Sequence, residues 1–464
     1  MSGAHHSRSA LPDLRLAGIL FLVVFLVYCL SPNATPFDSR WTIPTAMSIL
    51  NEGDTDLDEY LPLLEADGFY MIECTGSAAG WRLVHSRGEC PDGRLRNFYS
   101  VAVAFLAVPP VAAMRAAVSA AQPLLRPLAE GSSSPVVRRL LAGDFIGASA
   151  AVELIVASFF VAIAAALVFF IAREFLGRAE ALLLAALFAF GTPAWSLASR
   201  GLWQHGPSMM LLALALLMAL RGVRNPRWIA LMGAPLALAF FVRASNAVSA
   251  AVFTVYVFRR HRKQLSGFFL GAAVVTSLFA AYNLAVYGFP LAPYSWVQRA
   301  GAPGLSLHPR FLEALAGNLI SPGRGLFIYV PVALFSLYGM AVRPAEAAAR
   351  ELRSYLVAIV LLHWLLVSSF EDWIGGHGFG PRYMSDLSPI LVYFLIPAID
   401  KIRAMPRRRA FAAAGLFALL AVASVTIHFR GATRWACWDW SVQPVDINRS
   451  QWRVWDWRDP AFLR

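Results

Sequence analysis

Acidic and basic side chains gather just behind the first apolar run of this chain. Phe37-Asp38-Ser39-Arg40-Trp41 is followed by Asn51-Glu52-Gly53-Asp54 and then by Asp56, Asp58 and Glu59. Farther along, Arg200, Arg243, Arg324 and Arg382 stand at the ends of apolar runs, with His205, Asn246, Asn283, Trp373, His377 and Tyr383 near the same ends. A carboxylate in such a place can take the proton of an attacking hydroxyl. A guanidinium pairs with phosphate oxygens and steadies charge that grows on them. Together these groups suit displacement at a carbon that bears a phosphate. No His/Cys/Asp set has the spacing of a structural zinc site, and no serine elbow or glycine-rich nucleotide loop is present.

The elements that must position these groups are membrane helices. The 464 residues are 58% hydrophobic and 15% charged, far from the balance of a soluble domain. The net charge of +12 lies in short clusters between apolar runs rather than along one polar face, which argues against a nucleic-acid partner. With roughly 20 apolar residues needed per crossing, the expected spans are 14–31, 147–172, 180–198, 207–220, 228–242, 245–258, 266–285, 325–342, 354–369, 387–400 and 410–427. Arg173/Arg178, Arg221–Arg227, Arg259–Lys263, Arg343–Arg353 and Lys401–Arg409 occupy alternate connections, which the positive-inside rule makes cytoplasmic. The expected architecture is an all-α, multi-pass protein of the inner (plasma) membrane with about eleven crossings. Its N-terminus is inside, and its C-terminus and polar site lie on the extracytoplasmic side.

Counting Phe98–Ala121 as a crossing would invert every later loop, so this stretch, with Pro109-Pro110 and Arg115, is expected to lie on the membrane surface or re-enter. The chain then divides into a membrane domain over 1–427, which includes a large outer loop at 32–146, and a Trp-rich outer tail over 428–464. The tail reads as an interfacial anchor or a cap on the outer loop, with a sugar-stacking platform as the alternative. Of four cysteines, Cys74 and Cys90 share the outer loop, where an oxidising compartment permits a disulfide between them; two free thiols are the alternative.

Several short segments resemble GT-C-fold glycosyltransferases, in particular the protein mannosyltransferase and aminoarabinose transferase group. Asp38-Ser39-Arg40-Trp41 with Ile49-Leu50-Asn51-Glu52-Gly53-Asp54 resembles their first outer loop, and Leu202-Trp203-Gln204-His205 their Trp/Tyr-x-His helix mouth. Tyr282-Asn283 with Tyr287-Gly288-Phe289-Pro290, Ser321–Phe327, Trp373-Ile374-Gly375-Gly376 and Gly380-Pro381-Arg382-Tyr383 are similar to segments of bacterial members, in the same order. The resemblance implies a GT-C-like bundle and transfer of a sugar from a polyprenyl-phosphate carrier to an envelope acceptor, with inversion. Asp38 would be the general base. The acid that often follows the catalytic Asp is Ser39 here, so a paired-carboxylate mechanism does not carry over; Asp54 or Asp58 is the nearest second acid.

On this reading Arg243, Arg382, Tyr383, Arg324 and His205 face the donor phosphate or sugar. Arg40, Asp54, Asp58, Asn246, Asn283, Trp373 and His377 serve the acceptor or support the site. No cofactor is required, and dependence on a divalent metal is left open. Each residue also has a plainer role. Asp38 can cap the helix beginning near Trp41, Asp54 can cap or end a helix, Arg243 can reach for lipid headgroups, and His205 can be packed at the interface. A lipid-pyrophosphate-dependent ligase or polymerase, a transporter or flippase, and a non-catalytic scaffold are the competing functions. A transport path calls for ionisable groups deep in the spans, and only Glu153 and His363 approach that.

Overall fold

The computed structural model describes residues 10–76, 80–294, 308–344 and 346–464. Among them, seven helices are long and apolar enough to cross a membrane: Leu11–Leu30, Val101–Ala120, Ser149–Arg173, His205–Gly222, Arg262–Tyr287, Ala347–Ser368 and Arg407–Thr433. The all-α, multi-pass architecture is as expected; the continuity of the spans is not. Four of the eleven anticipated runs are broken into shorter helices, and proline explains the breaks. Arg227–Leu231 gives way to Gly233–Val242, and Ser388–Tyr393 to Leu395–Arg403. Pro235 and Pro397 each lie four residues past the end of the first piece, where their missing N–H and bulky ring disrupt the helix. Pro193 separates Arg178–Phe190 from a π-turn at Ala194–Ala198, and Pro331 follows Leu326–Tyr329. A fifth run forms a single short helix, Ala247–Arg260.

The second long helix, Val101–Ala120, is the stretch that loop parity leaves out of the crossings, and its tandem prolines do not interrupt it. It is fastened to its neighbours at its start and again at Arg115. The Ser100 hydroxyl caps the helix and also donates to the Phe241 carbonyl, just before Arg243. Arg115 bonds the Asn51 side chain at the end of Thr42–Asn51, which packs alongside. Residues Leu140 and Phe145, which lead into Ser149–Arg173, join the same apolar cluster as Val103, Ala107 and Val111.

The outer loop contains a feature not anticipated from sequence, a three-stranded antiparallel sheet ordered β2-β1-β3 with β1 at Ile72–Thr75, β2 at Arg82–Val84 and β3 at Arg94–Asn97. Cys74 on β1 is disulfide-bonded to Cys90, and both are buried with Trp41, Leu57, Leu64 and Leu95 in a small core of their own. The two cysteines are sixteen positions apart, so the bond closes the hairpin-like excursion through β2. The main core runs down the bundle and includes Trp438 and Trp440 of the tail.

Candidate active site

Asp38 lies in a turn between the first helix and Thr42–Asn51, and the approach to it is held by a buried arginine. Arg200, expected at an outer helix mouth, is wholly buried and donates to the carbonyls of Tyr28 (2.6 Å), Ser31 (2.9 Å), Asn33 (3.2 Å) and Trp195 (3.1 Å). Thr35 N–H donates to the Arg200 carbonyl at 2.8 Å, and Trp203 Nε1 donates to the Thr35 carbonyl at 2.7 Å. Ser39 is hydrogen-bonded to Glu153, whose Oε1 also accepts from Leu202 N–H at 2.7 Å. Glu153 therefore ties the turn bearing Asp38 to the segment that leads to His205.

The carboxylate of Asp38 caps no helix, since Thr42–Asn51 begins without a side-chain cap. It accepts from the Tyr70 hydroxyl at 3.0 Å and forms an ion pair with Arg382. Burial alone would raise its proton affinity, but the Arg382 charge and the hydrogen bonds outweigh that effect and hold Asp38 below the usual carboxylate range. Tyr70, partly desolvated and beside that negative charge, is pushed up to about 12 and stays a hydroxyl donor.

Arg382 comes from the opposite part of the chain. Its guanidinium lies 4.2 Å from the Trp203 ring centre and donates to the Gly375 carbonyl at 3.0 Å. The glycines of this loop answer a backbone need: Gly375 has φ +69°, and Gly380, at φ +71°, would bring a Cβ within 2.7 Å of the Tyr329 ring. Arg243 reaches the site after Gly233–Val242. It pairs with Asp386 at 3.0 Å, contacts His205 and lies 5.6 Å from the Tyr383 ring centre. His205 Nδ1 is 3.1 Å from Asp386 Oδ1 and 3.0 Å from Ser385 Oγ.

Asp38, Tyr70, His205, Arg243, Gly375, Arg382 and Tyr383 border one cavity of about 770 Å³, and Asp386 and Ser385 stand behind His205 and Arg243 without lining it. Of the sequence candidates, Asp38, Arg40, His205, Arg243, His377, Arg382 and Tyr383 line it. Arg40 is paired with Asp67 and stacked on Tyr70 at 4.9 Å; His377 Nε2 is 2.8 Å from Asp446 Oδ2 in the tail. Glu371 and Asp372 also line it, and burial raises Asp372 above the ordinary carboxylate value despite Arg382 and Arg324 nearby. Leu366 and Phe370 form an apolar edge.

Six candidates do not line the cavity, and their partners show why. Arg324 is fully buried and donates to the Ile374 (2.7 Å), Gly323 (2.9 Å) and Gly376 (2.7 Å) carbonyls, so it holds the Gly375–Gly376 loop rather than facing a donor. Asp54 accepts from Ser48 Oγ at 2.8 Å and from Asp56 N–H, the plainer end-of-helix role. Asp58 is paired with Arg94 on β3 and with Arg87 in the turn between β2 and β3. Asn246 bonds Ser208 Oγ and the Ala239 carbonyl, and Asn283 bonds the Pro290 carbonyl. Trp373 is packed under the loop against Gly317. Neither nearest acid is therefore a second carboxylate for Asp38. Among the described residues, no group of three His, Cys, Asp or Glu side chains is placed to hold a metal ion.

Sequence reasoning missed Asp386, Tyr70, Tyr99, Gln204, Glu371 and Asp372. It also missed Asn448 and Gln451 of the tail, which line the cavity. Asp386, four residues past Arg382 at the start of an apolar run, offered the one readable signal: an acid there needs a buried partner. Trp438 and Trp440 are core residues, while Trp435, Trp452 and Trp457 are exposed.

Residues 141–284 match the family described as dolichyl-phosphate-mannose-protein mannosyltransferase. That stretch includes His205 and Arg243 but not Asp38 or Arg382. No curated protein matches the chain. Among solved structures, the Archaeoglobus fulgidus oligosaccharyltransferase in the apo form is similar at 11% identity with a TM-score of 0.48, over 97% of this chain and 60% of that one. The chain thus spans less than two thirds of that protein's length. The resemblance read from the short motifs is borne out across the middle of the chain: this is a predominantly helical membrane protein that carries, over residues 141–284, the sequence pattern of the dolichyl-phosphate-mannose-protein mannosyltransferase family.

Proposed function

We propose that the protein is a membrane glycosyltransferase that moves a sugar from a polyprenyl-phosphate carrier to an envelope glycolipid, glycan or protein on the extracytoplasmic face. The observation that carries this reading is the meeting of an ionised carboxylate, Asp38, with the guanidiniums of Arg382, Arg243 and Arg40 on the wall of one cavity that has an apolar edge. The acceptor hydroxyl attacks the anomeric carbon and gives its proton to Asp38. The bond from that carbon to the phosphate oxygen breaks on the opposite side, which inverts the centre, and the lipid phosphate leaves with the electron pair. Arg382 and Arg243 stabilise the charge on the leaving phosphate. The Leu366/Phe370 edge suits the first prenyl units.

The Asp38–Arg382 pair couples binding to activation on this reading. Phosphate arriving at Arg382 competes with Asp38 for the guanidinium, and loss of that partner raises the carboxylate's affinity for a proton. The base thereby strengthens as the donor is seated. The convergence of the candidate groups on one cavity favours this enzyme over a transporter. A pyrophosphate-linked ligase remains the second reading, because the same arginines would suit its donor.

The test uses protein in lipid nanodiscs with a panel of polyprenyl-phosphate sugars, followed by wild type and Asp38→Asn. One donor is expected to raise the melting temperature of both proteins, while transfer by Asp38→Asn falls by about 10²–10⁴-fold. No stabilisation by any monophosphate donor, with folded protein, would turn the reading to the pyrophosphate-linked ligase.

A further inference from the structure

A second hollow lies at the other end of the bundle. The Ala347–Ser368 helix has 22 residues, about 33 Å at 1.5 Å per residue, and connects the two places. Phe370, just past its C-terminal end, lines the catalytic cavity, and Ala349, near its N-terminal end, lines a crevice of about 250 Å³. The crevice walls are apolar, from Phe175, Val342, Ile396 and Pro397. Four charged residues also line it: Arg343, Lys401, Glu346 and Asp400, all exposed. Arg343 and Glu346 lie in a connection and Asp400 and Lys401 at the end of the helix Leu395–Arg403, at the end of the bundle that the distribution of basic residues assigns to the cytoplasmic side.

Two features of this crevice point to an occupant. Tyr393 lines it and is 2% exposed, yet its hydroxyl has no hydrogen-bond partner. A buried hydroxyl left so is costly and calls for an acceptor. The charges are also unmatched internally. Among the described residues, Arg343, Lys401 and Glu346 enter no ion pair, and Asp400 has only Arg403 at 3.8 Å while feeling the repulsion of Glu346 and Glu180. Two free cations beside two mutually repelling carboxylates complement a head that carries a phosphate and an ammonium.

We propose that this crevice binds one phospholipid with a primary-amine headgroup. Its phosphate lies at Arg343 and Lys401, its ammonium at Glu346 and Asp400, and the start of an acyl chain lies against Phe175, Val342 and Ile396. The Tyr393 hydroxyl donates to an ester or phosphate oxygen. This site is separate from the catalytic cavity and does not depend on the sugar-transfer reading.

The test is native mass spectrometry of the delipidated full chain in detergent, titrated with phosphatidylethanolamine, phosphatidylglycerol or phosphatidylcholine. The ethanolamine lipid should be retained at one per chain, at least tenfold tighter than the other two. Glu346→Gln with Asp400→Asn should remove that preference, and Arg343→Ala with Lys401→Ala should weaken all three lipids at least tenfold. Tyr393→Phe should weaken ethanolamine-lipid retention several-fold. Equal retention of the three lipids, no retention, or affinities that neither charge pair alters would overturn the proposal. The four charged residues are exposed, so their variants are expected to fold, and the readout requires no sugar transfer.

Discussion

Asp38 and Arg382 are 344 positions apart and meet as an ion pair on the cavity wall. On the proposed mechanism their coupling is measurable. Arg382 holds the Asp38 carboxylate below its ordinary value, so Arg382→Ala raises it. The acidic limb of the pH–rate profile then moves to higher pH, because more protons must be removed before the base is available. The same variant should lose about 10²–10³-fold in kcat, as expected for removing one donor to a developing anion. Arg243→Ala should lower both apparent donor affinity and kcat but leave the acidic limb in place, since Arg243 is paired with Asp386 rather than with Asp38. Steady-state kinetics across pH separate the two. An Arg382 variant with an unmoved acidic limb would mean that the ion pair does not govern the base.

At the scale of the element, the outer loop is a small disulfide-bonded sheet with a buried acid. Closing a loop of this length by a disulfide stabilises a fold by about 3 kcal/mol, so Cys74→Ser with Cys90→Ser should lower the melting temperature and hasten proteolysis between the strands. Glu73 on β1 is fully buried and accepts from Tyr287 at 2.5 Å. Burial pushes it from 4.5 up to about 8. The folded state thus binds a proton that the unfolded chain releases above its ordinary carboxylate value, and stability falls as pH rises from about 4.5 toward 8. Glu73→Gln keeps a neutral side chain of the same shape and should abolish that decline. Melting curves at pH 6 and pH 9 check it: wild type loses stability between them and the variant does not.

On the scale of the whole molecule, polar groups gather at one end of the bundle and basic loops at the other. In a Cys29→Ala, Cys437→Ala background, a cysteine at Asp92 should react with a membrane-impermeant maleimide from outside intact cells, and one at Arg408 only after permeabilisation. The reverse pattern would invert the topology. Much of this arrangement was legible beforehand. Asp38, Arg40, His205, Arg243, His377, Arg382 and Tyr383 converge on one cavity as their place at helix ends implied. Arg200 and Arg324 carried the same signature and became carbonyl-binding staples, because a guanidinium at a helix end looks alike in sequence whether ligand or backbone receives its donors.

The sequence by itself determined the membrane class, the predominance of helix, and the placing of Asp38, His205, Arg243 and Arg382 at helix ends. Apolar runs and interrupting charges are local properties, and a bilayer acts on them one segment at a time. The tertiary structure alone decided which arginines face the cavity, that Asp386 joins Arg243 and His205, that Glu153 ties the Asp38 turn to the His205 segment, and that Asn448 and Gln451 complete the wall. Those pairings join residues distant along the chain, and only packing of the folded bundle brings them within hydrogen-bonding reach.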